Sequence, residues 1–402
     1  MLGPRVRAVL AAGGPEAVRD LARAHRGPII EPAASPDAFH VTFVLADRNR
    51  TLRGAGLFCP AIPDGFARLH PLGSATFART FMLSRGVRVR YHFCPDPPER
   101  LDEVELLALA RSPVARRIDY LNPLLDQVHL RGLRTRILHS LLVLPGAPPD
   151  PPDPGPRAAR GSLDEMDIDS VALRRRVRVA VNRPSGRSTT NRPHPTVVLF
   201  EANDEWRGPA VFDRIAATGS VRPFVGILIR RAEHFSTNLR DLGDAAALGS
   251  FVADELLAPL VARGGVDGDR IVAGFSAGAA AAVALSIRAP DLFPRLLAIS
   301  PALHLGSRME VLRVANDAEV AGIYQRLTAP PRRVYLAAGR YEDTPTARIH
   351  TMTSDLAGRL RRRGAEVRFD AGLTDHDSVS ARAYLHAGLA WLLGPPEPAT
   401  TQ

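Results

Sequence analysis

Short apolar runs alternate with helical patterns through the second half of the chain, and this alternation limits the possible folds more than any other feature. The runs PTVVLFEA, FVGILIRR and RLLAIS are almost continuously apolar, as are strands buried on both faces of a sheet. Segments with one apolar face and the length of a helix, such as ADELLAPLVARGG, lie between such runs. We therefore predict a mostly parallel sheet, covered by helices on both faces, over residues 171–396.

Residues 36–145 show a different pattern. The segment GVRVRYHFCPD (86–96) alternates apolar residues with polar ones, and Arg88, Arg90 and His92 share its polar face. Alternation with one polar face indicates an antiparallel sheet. We interpret this region as a small β-sandwich.

A proline-rich stretch separates these two regions. Five prolines fall between Pro148 and Pro154, and such a composition forms neither a helix nor a central strand. We place a stiff, exposed linker at 146–170. The segment before the sandwich, residues 1–35, is predicted to be helical with a break at its GGP sequence.

Composition and charge disfavour several classes of protein. The formal net charge is +10, but the basic residues are all arginine and are dispersed along the chain, so a nucleic-acid binder is not favoured. No apolar run approaches the length of a membrane-spanning helix, and the N-terminal residues lack the apolar core of a signal peptide. The two cysteines do not suggest a disulfide framework. We therefore predict a cytoplasmic protein that binds neither nucleic acid nor a membrane.

The segment RIVAGFSAGAAAAVAL (270–285) places a Gly-x-Ser-x-Gly motif between an apolar strand and an alanine-rich helix. Attack on an ester carbonyl needs an activated hydroxyl group and hydrogen-bond donors for the developing oxyanion. A sharp turn from strand to helix exposes the serine, and it is so crowded that glycine is needed two residues to either side. We predict that Ser276 is a nucleophile. The alternative is a closely packed turn of small residues with no catalytic role.

The residues after Ser276 can supply the other members of a triad, in the order nucleophile, acid, base used by α/β-hydrolases. His376 lies between the strand EVRFDAG and the last predicted helix, and a general base is expected in such a loop. The acid is expected after the strand RRVYLAAG, where Glu342 and Asp343 are both within reach. Spacing does not separate these two acids.

Backbone amides are expected to bind the oxyanion. One is predicted to be the amide of Ala277, at the start of the helix after the nucleophile. The other is predicted to come from Asn203 or Asp204, in the loop NDEWRG that follows the strand PTVVLFEA. His304 follows the strand after the nucleophile and is predicted to line the pocket. The sequence has no His-x-x-x-His or Cys-x-x-Cys motif, so neither a metal nor another cofactor is expected.

Beyond these residues, the chain resembles the enterochelin (enterobactin) esterase-like proteins, in the esterase D-related branch of the α/β-hydrolases. GPIIEP followed by HVTFVLAD resembles the N-terminal domain of that family, and YLNPLLDQV is similar to the segment that closes it. Further family segments are similar to FEANDEW, RDLGDAAALGSFVADELLAPLV and LAAGRYED. The resemblance implies an α/β-hydrolase preceded by a small all-β, Ig-like sandwich domain.

The resemblance also implies an activity and site residues. It implies a serine carboxylic-ester hydrolase that forms an acyl-enzyme and opens a siderophore-like trilactone, so that a ferric catecholate siderophore is the expected partner. It favours Glu342 over Asp343 as the acid. It further implies that Trp206 and Arg240 bind the substrate.

The chain departs from the family pattern around the predicted site. LTDH replaces the usual Gly-Gly-His at the base, no glutamine precedes the serine, and SPALHLG replaces the aromatic residues expected after the next strand. The ester that is hydrolysed is therefore left open. Two alternative functions also stay open: an acyltransferase or lactone hydrolase of a biosynthetic pathway, and a catalytically silent protein that binds a ligand in the same cleft.

Overall fold

The chain divides into two units, which we call the N-terminal unit (Met1–Pro148 with Gly372–Asp377) and the C-terminal unit (Pro149–Ala371 with Ser378–Gln402). The computed structural model describes residues 2–99, 105, 116–129, 136–151, 161–184, 194–202, 210–230, 232, 237, 240–242, 244–263, 266, 269–303, 330–344 and 347–395.

The N-terminal unit contains a helix and two antiparallel sheets among its described residues. Helix α1 (Pro4–His25) has a kink at Gly14, where φ is 70°, just ahead of Pro15; the break predicted at GGP is therefore present. One sheet has the strand order β1-β2-β6-β5 and the other β4-β3-β7-β9-β8. The strands are β1 (Ile29–Pro32), β2 (Ala38–Ala46), β3 (Ala55–Phe58), β4 (Phe66–Arg68), β5 (His70–Gly73), β6 (Thr76–Ser84), β7 (Arg88–Pro95), β8 (Leu125–His129) and β9 (Arg136–Val143).

Apolar side chains hold this unit together. Phe43 on β2 packs edge-on against Tyr91 on β7, with ring centres 5.0 Å apart, and this contact joins the two sheets. Helix α1 buries Val6 and Val18 in a cluster with Ile29 of β1. The region predicted to be all-β therefore shares its unit with a helix, because the apolar face of α1 is covered by the first sheet.

The C-terminal unit is built on a mixed sheet with the strand order β10-β11-β13-β12-β14-β15-β16-β19. Strands β12 to β16 each pair in parallel with their neighbours in the order β13-β12-β14-β15-β16, and β10 and β11 join antiparallel at one edge. The strands are β10 (Ser162–Ser170), β11 (Arg175–Arg183), β12 (Thr196–Ala202), β13 (Val225–Arg230), β14 (Arg270–Phe275), β15 (Arg295–Ile299), β16 (Arg333–Gly339), the separate pair β17 (Asp343–Thr344) and β18 (Ala347–Arg348), and β19 (Glu366–Gly372). The helices are α2 (Ala210–Ala217), α3 (Ala245–Ser250), α4 (Ala258–Ala262), α5 (Ala277–Arg288), α6 (Ile349–Arg362) and α7 (Ser378–Leu393).

Helices cover both faces of this sheet. Val272 of β14 belongs to a core cluster that contains side chains of α3 to α6, whereas its neighbour Ala273 belongs to a second cluster with side chains of α2 and α7. Successive residues of a strand point to opposite faces, so both faces of the sheet are buried. The α/β class predicted from the apolar runs is confirmed.

Residues 162–170, which the sequence suggested as the end of the linker, form the edge strand β10. Acidic side chains on this strand pair with arginines of neighbouring strands, as Asp167 does with Arg178 at 3.2 Å. Met166 and Ile168 lie partly buried against the core between the acidic positions. An edge strand needs only a weak alternation of apolar residues. The many acidic residues of this segment hid that alternation, so the strand was not predicted.

The helix predicted over ADELLAPLVARGG begins earlier, at α3, and continues through a π-helical stretch (Phe251–Leu257) into α4. Among the described residues, this continuous segment (Ala245–Ala262) is the one helix that is long enough and apolar enough to cross a membrane, judged by length and composition alone. The core helix of a soluble protein meets the same criteria, and Phe251 and Leu256 are buried in the core of the sheet.

Candidate active site

The turn between β14 and α5 has an unusual backbone at Ser276, with φ 57° and ψ −122°. A positive φ is costly for a residue that carries a side chain and persists only where the surrounding structure enforces it. Here the amide of Ser276 donates to the carbonyl of Ile299 at 3.0 Å, and its own carbonyl accepts from the amide of Ala302 at 3.0 Å. The neighbouring strand therefore holds the serine in this conformation.

The two glycines of the motif lie against each other across the same turn. A Cβ atom added to Gly274 would lie 2.3 Å from the carbonyl carbon of Gly278, so only glycine fits there without movement of the backbone. Ala277 is the first residue of α5, and amides at this end of a helix have no partner within the helix. Ser276 therefore lies beside a helix N-terminus, where negative charge is stabilised.

Parallel pairing brings the ends of several strands to the same edge of the sheet. Gly274 of β14 lies opposite Phe200 of β12 and Ala298 of β15, and Ala298 lies opposite Leu336 of β16. Residues that follow these strands therefore emerge beside Ser276 at the carboxyl edge, where ligands bind in sheets of this kind. Four predicted site residues lie outside the described residues: Asn203, Asp204, Trp206 and His304.

Glu342 is buried, with 4% of its surface exposed, in a turn that follows β16. Its Oε1 accepts hydrogen bonds from the hydroxyl of Ser300 at 2.7 Å and from the amide of Gly339 at 2.6 Å. Ser300 comes directly after β15 and has a positive φ of 47°. Ser300 is not among the site residues predicted from the sequence, although a serine directly after a buried strand is a visible signal.

Asp343 lies in a different environment from Glu342. It is exposed, and its carboxylate accepts hydrogen bonds from the amide and the hydroxyl of Thr351, at 3.2 and 2.5 Å, in the first turn of α6. Partial burial raises the pKa of Asp343, but the hydrogen bonds from Thr351, together with the amide and the imidazole of His350, outweigh burial and hold the pKa below its ordinary value. This acid is therefore engaged in stabilising the start of α6.

His376 is partly buried in the segment between β19 and α7, and this segment belongs to the N-terminal unit. The amide of Arg88 on β7 donates to the carbonyl of Leu373 at 2.9 Å. Arg90 on the same strand donates to the carboxylate of Asp375 at 3.2 Å and to the carbonyl of His376 at 2.6 Å. The predicted base is thus attached at its backbone to β7.

Arg240, predicted to bind substrate, belongs to the C-terminal unit. Its side chain is 64% exposed and donates to the carboxylate of Asp241 at 3.0 Å. Asp241 also pairs with Arg175 of β11. Within the described part of the chain, no group of three or more His, Cys, Asp or Glu side chains could hold a metal ion.

Comparison with known proteins relates the chain to esterases, both by sequence family and by fold. The family described as "Putative esterase" matches residues 170–380 of this chain. No curated protein sequence matches the chain. The enterobactin esterase from Shigella flexneri, solved in the presence of enterobactin, has a TM-score of 0.73 and 21% identity, covering 93% of this chain and 97% of that chain.

Two further solved structures are similar to the chain. The ferric enterobactin esterase from Salmonella typhimurium has a TM-score of 0.73 and 20% identity, covering 93% of this chain and 98% of that chain. Another enterochelin esterase structure from Shigella flexneri has a TM-score of 0.68 and 21% identity, covering 91% of this chain and 95% of that chain. At such low identity the similarity establishes a shared fold.

Proposed function

The chain belongs to the Putative esterase family and is a carboxylic ester hydrolase, and from this premise we propose that Ser276, His376 and Glu342 form a catalytic triad. The observation that carries the proposal is the strained turn at Ser276, where φ is 57° between a buried strand and a helix N-terminus. Such a conformation is costly and is kept where a side chain must be presented for function.

In the proposed mechanism, Oγ of Ser276 attacks the ester carbonyl carbon while the imidazole of His376 accepts the hydroxyl proton. The carbonyl oxygen becomes an oxyanion, which the amide of Ala277 and an amide of Asn203 or Asp204 stabilise. As the tetrahedral intermediate collapses, the C–O bond to the alcohol breaks and His376 returns the proton to the departing oxygen. Water then attacks the acyl-enzyme while His376 accepts its proton, the bond from the acyl carbon to Oγ of Ser276 breaks, and His376 returns the proton to Oγ as the acid product leaves.

The environments of the two candidate acids support Glu342 as the third member. A triad acid must be held in place and must remain charged so that it orients the imidazole and stabilises its protonated form. Glu342 is buried and accepts two hydrogen bonds from groups at the ends of β15 and β16. Asp343 is exposed and bound to the start of α6.

We propose a siderophore-like trilactone or a related ester as the substrate, with a ferric catecholate siderophore opened in the cytoplasm as the specific case. The shared fold with enterobactin esterases, one of them solved in the presence of enterobactin, supports a small-molecule ester of this kind. The two antiparallel sheets joined at Phe43 and Tyr91 support the proposal that the N-terminal unit contains the Ig-like domain of these enzymes.

Labelling with a fluorophosphonate probe tests the triad. We expect the wild type to be labelled, Ser276→Ala to be unlabelled, and His376→Ala to be labelled far more slowly. Glu342→Gln should lower kcat for a p-nitrophenyl ester by about 1,000-fold or more, since the wrong imidazole tautomer is then favoured. Asp343→Asn is the matched control and should change kcat by less than about threefold. A wild type that resists the probe, or a control as damaging as Glu342→Gln, contradicts the proposal.

The substrate proposal needs a separate experiment. The wild type and Ser276→Ala would be incubated with enterobactin, with and without bound iron, and the products identified by mass spectrometry. We expect the wild type alone to produce linear fragments of the trilactone. If the wild type hydrolyses p-nitrophenyl esters but leaves both forms of enterobactin intact, the esterase activity stands and the siderophore proposal fails.

A further inference from the structure

The proposed base is carried by the segment Gly372–Asp377, which belongs to the N-terminal unit. We propose that Arg90 of strand β7 is the positioning residue that fixes this segment and thereby places His376 for proton transfer. The inference rests on the proposed role of His376 as general base. It assigns a function to a strand remote in sequence from every predicted member of the triad.

The backbone of β7 provides the first part of the attachment. Strand β3 pairs with one edge of β7 over residues 92–95. Ahead of His92, Arg88 forms an isolated parallel bridge with Thr374, and the amide of Arg88 donates to the carbonyl of Leu373 at 2.9 Å. The segment is therefore attached to β7 by an isolated bridge and one backbone hydrogen bond.

The side chain of Arg90 provides the second part. Its guanidinium donates from Nη2 to the carbonyl oxygen of His376 at 2.6 Å and from Nε to Oδ2 of Asp375 at 3.2 Å. Two donors of one planar group thus hold two consecutive residues, and one of these is the proposed base. The fixed fork of an arginine is suited to this task, whereas a lysine offers a single charged centre on a flexible stem.

The charges around Arg90 keep it ionised. Burial opposes the charge, but the carboxylates of Asp375, Asp377 and Asp126 outweigh burial and raise the pKa of Arg90. The exposed fractions of the Arg90 and Asp375 side chains are 22% and 8%. Loss of the guanidinium would leave buried carboxylates without their counter-charge beside the base, and such a change is strongly unfavourable.

A general base acts only within hydrogen-bond reach of the proton that it removes. A displacement of about 1 Å can lower the rate about 100-fold. Arg90 holds the carbonyl of His376, so it fixes the backbone position from which the imidazole extends. It should therefore affect kcat through His376 and leave KM for a small ester nearly unchanged.

The test compares Arg90→Ala with Arg295→Ala in the full-length protein. Arg295 is a close match, because its side chain is 19% exposed, pairs with Asp269 at 2.8 Å and donates to the carbonyl of Leu392 at 2.9 Å. It lies at the start of β15, the end of the strand opposite to Ser300. With a p-nitrophenyl ester we expect Arg90→Ala to lower kcat about 100-fold and to change KM by less than about threefold, and Arg295→Ala to change neither beyond about threefold.

Two further measurements separate positioning from loss of folding. Added guanidinium ion should restore part of kcat in Arg90→Ala and none in His376→Ala, and Arg90→Lys should be intermediate. Hydrogen exchange followed by mass spectrometry should show faster exchange in the peptide that contains Leu373–Asp377 for Arg90→Ala, but not for Arg295→Ala.

The outcomes distinguish failure of this inference from failure of the proposed function. If Arg90→Ala matches Arg295→Ala in kcat and in exchange of the Leu373–Asp377 peptide, the positioning role is overturned. If Ser276→Ala or His376→Ala retains wild-type activity, the triad is wrong. The exchange experiment then still decides whether Arg90 holds the segment.

Discussion

Two serines at the ends of neighbouring parallel strands have a positive φ, 57° at Ser276 and 47° at Ser300. Each amide donates to a carbonyl of the next strand, Ser276 to Ile299 at 3.0 Å and Ser300 to Ala337 at 2.7 Å. The sheet therefore offsets the cost of both conformations. The hydroxyl of Ser276 is the proposed nucleophile, and the hydroxyl of Ser300 donates a hydrogen bond to the carboxylate of Glu342.

Gly274→Ala tests whether the turn at Ser276 depends on close backbone approach. The new Cβ atom would lie 2.3 Å from the carbonyl carbon of Gly278, and relief of this overlap would move the turn. We expect the free energy of unfolding in urea to fall by about 1–3 kcal/mol and probe labelling of Ser276 to slow.

Gly358→Ala in α6 is the control, since its Cβ would meet Arg362 Nη1 at an ordinary 3.5 Å. Alanine should stabilise that helix by about 0.5–1 kcal/mol. Equal effects of the two variants would exclude the packing argument.

Constraints between residues close in sequence are visible in the sequence pattern, whereas constraints between distant residues are not. The contact of Gly274 with Gly278 lies within the motif itself, so the pattern of residue types around Ser276 records it. By contrast, Ser300 meets Glu342 across 42 positions of the chain, and Arg90 meets His376 across 286 positions. No spacing rule covers such separations, and only the folded sheets bring these groups together.

At the scale of single elements, β7 shows what alternation can and cannot predict. The alternating residues of GVRVRYHFCPD predict an antiparallel strand, and β7 pairs antiparallel with β3 and β9. The polar face, however, is largely covered: Arg88 and His92 are buried, and Phe58 stacks on the ring of His92 at 4.9 Å. The residues that cover this face come from other elements, so the pattern of β7 alone contains no sign of them.

The buried histidines of this region predict a loss of stability in acid. Burial and the nearby charges of Arg116 and Arg90 lower the pKa of His92 and of His139 to about 3. In the unfolded chain a histidine titrates near pH 6.5, so between these values the unfolded state binds more protons than the folded state. The free energy of unfolding should therefore fall as the pH drops below about 6.5, with a slope of up to about 1.4 kcal/mol per pH unit for each histidine.

The urea midpoint measured by circular dichroism between pH 7 and pH 4 checks this prediction. His92→Phe keeps the stacking on Phe58 and removes one titrating group, so its midpoint should fall less steeply with pH than that of the wild type. A wild-type midpoint that is constant over this range would show that the two imidazoles titrate alike in both states.

At the scale of the whole molecule, the chain supplies a separate natural probe for each unit. Both cysteines of the sequence, Cys59 and Cys94, are buried in the N-terminal unit. Burial raises the pKa of Cys59 to about 12 and that of Cys94 to about 11, so their thiols should resist modification while the unit is folded. Trp391 belongs to the C-terminal unit, where its ring on α7 lies 4.4 Å from the guanidinium of Arg333.

These probes test whether catalysis depends on the N-terminal unit. Because the segment with His376 is held by β7, we expect activity in urea to be lost when the thiols become reactive, even where tryptophan fluorescence is unchanged. Phe43→Ala removes a core ring 5.0 Å from Tyr91, which should cost about 3–5 kcal/mol and move thiol labelling and loss of activity together to lower urea. Phe293→Ala, in the core of the C-terminal unit, should instead move the fluorescence transition. If Phe43→Ala stays active after its thiols have reacted, His376 does not need β7 and the placement of the base must be explained within the C-terminal unit.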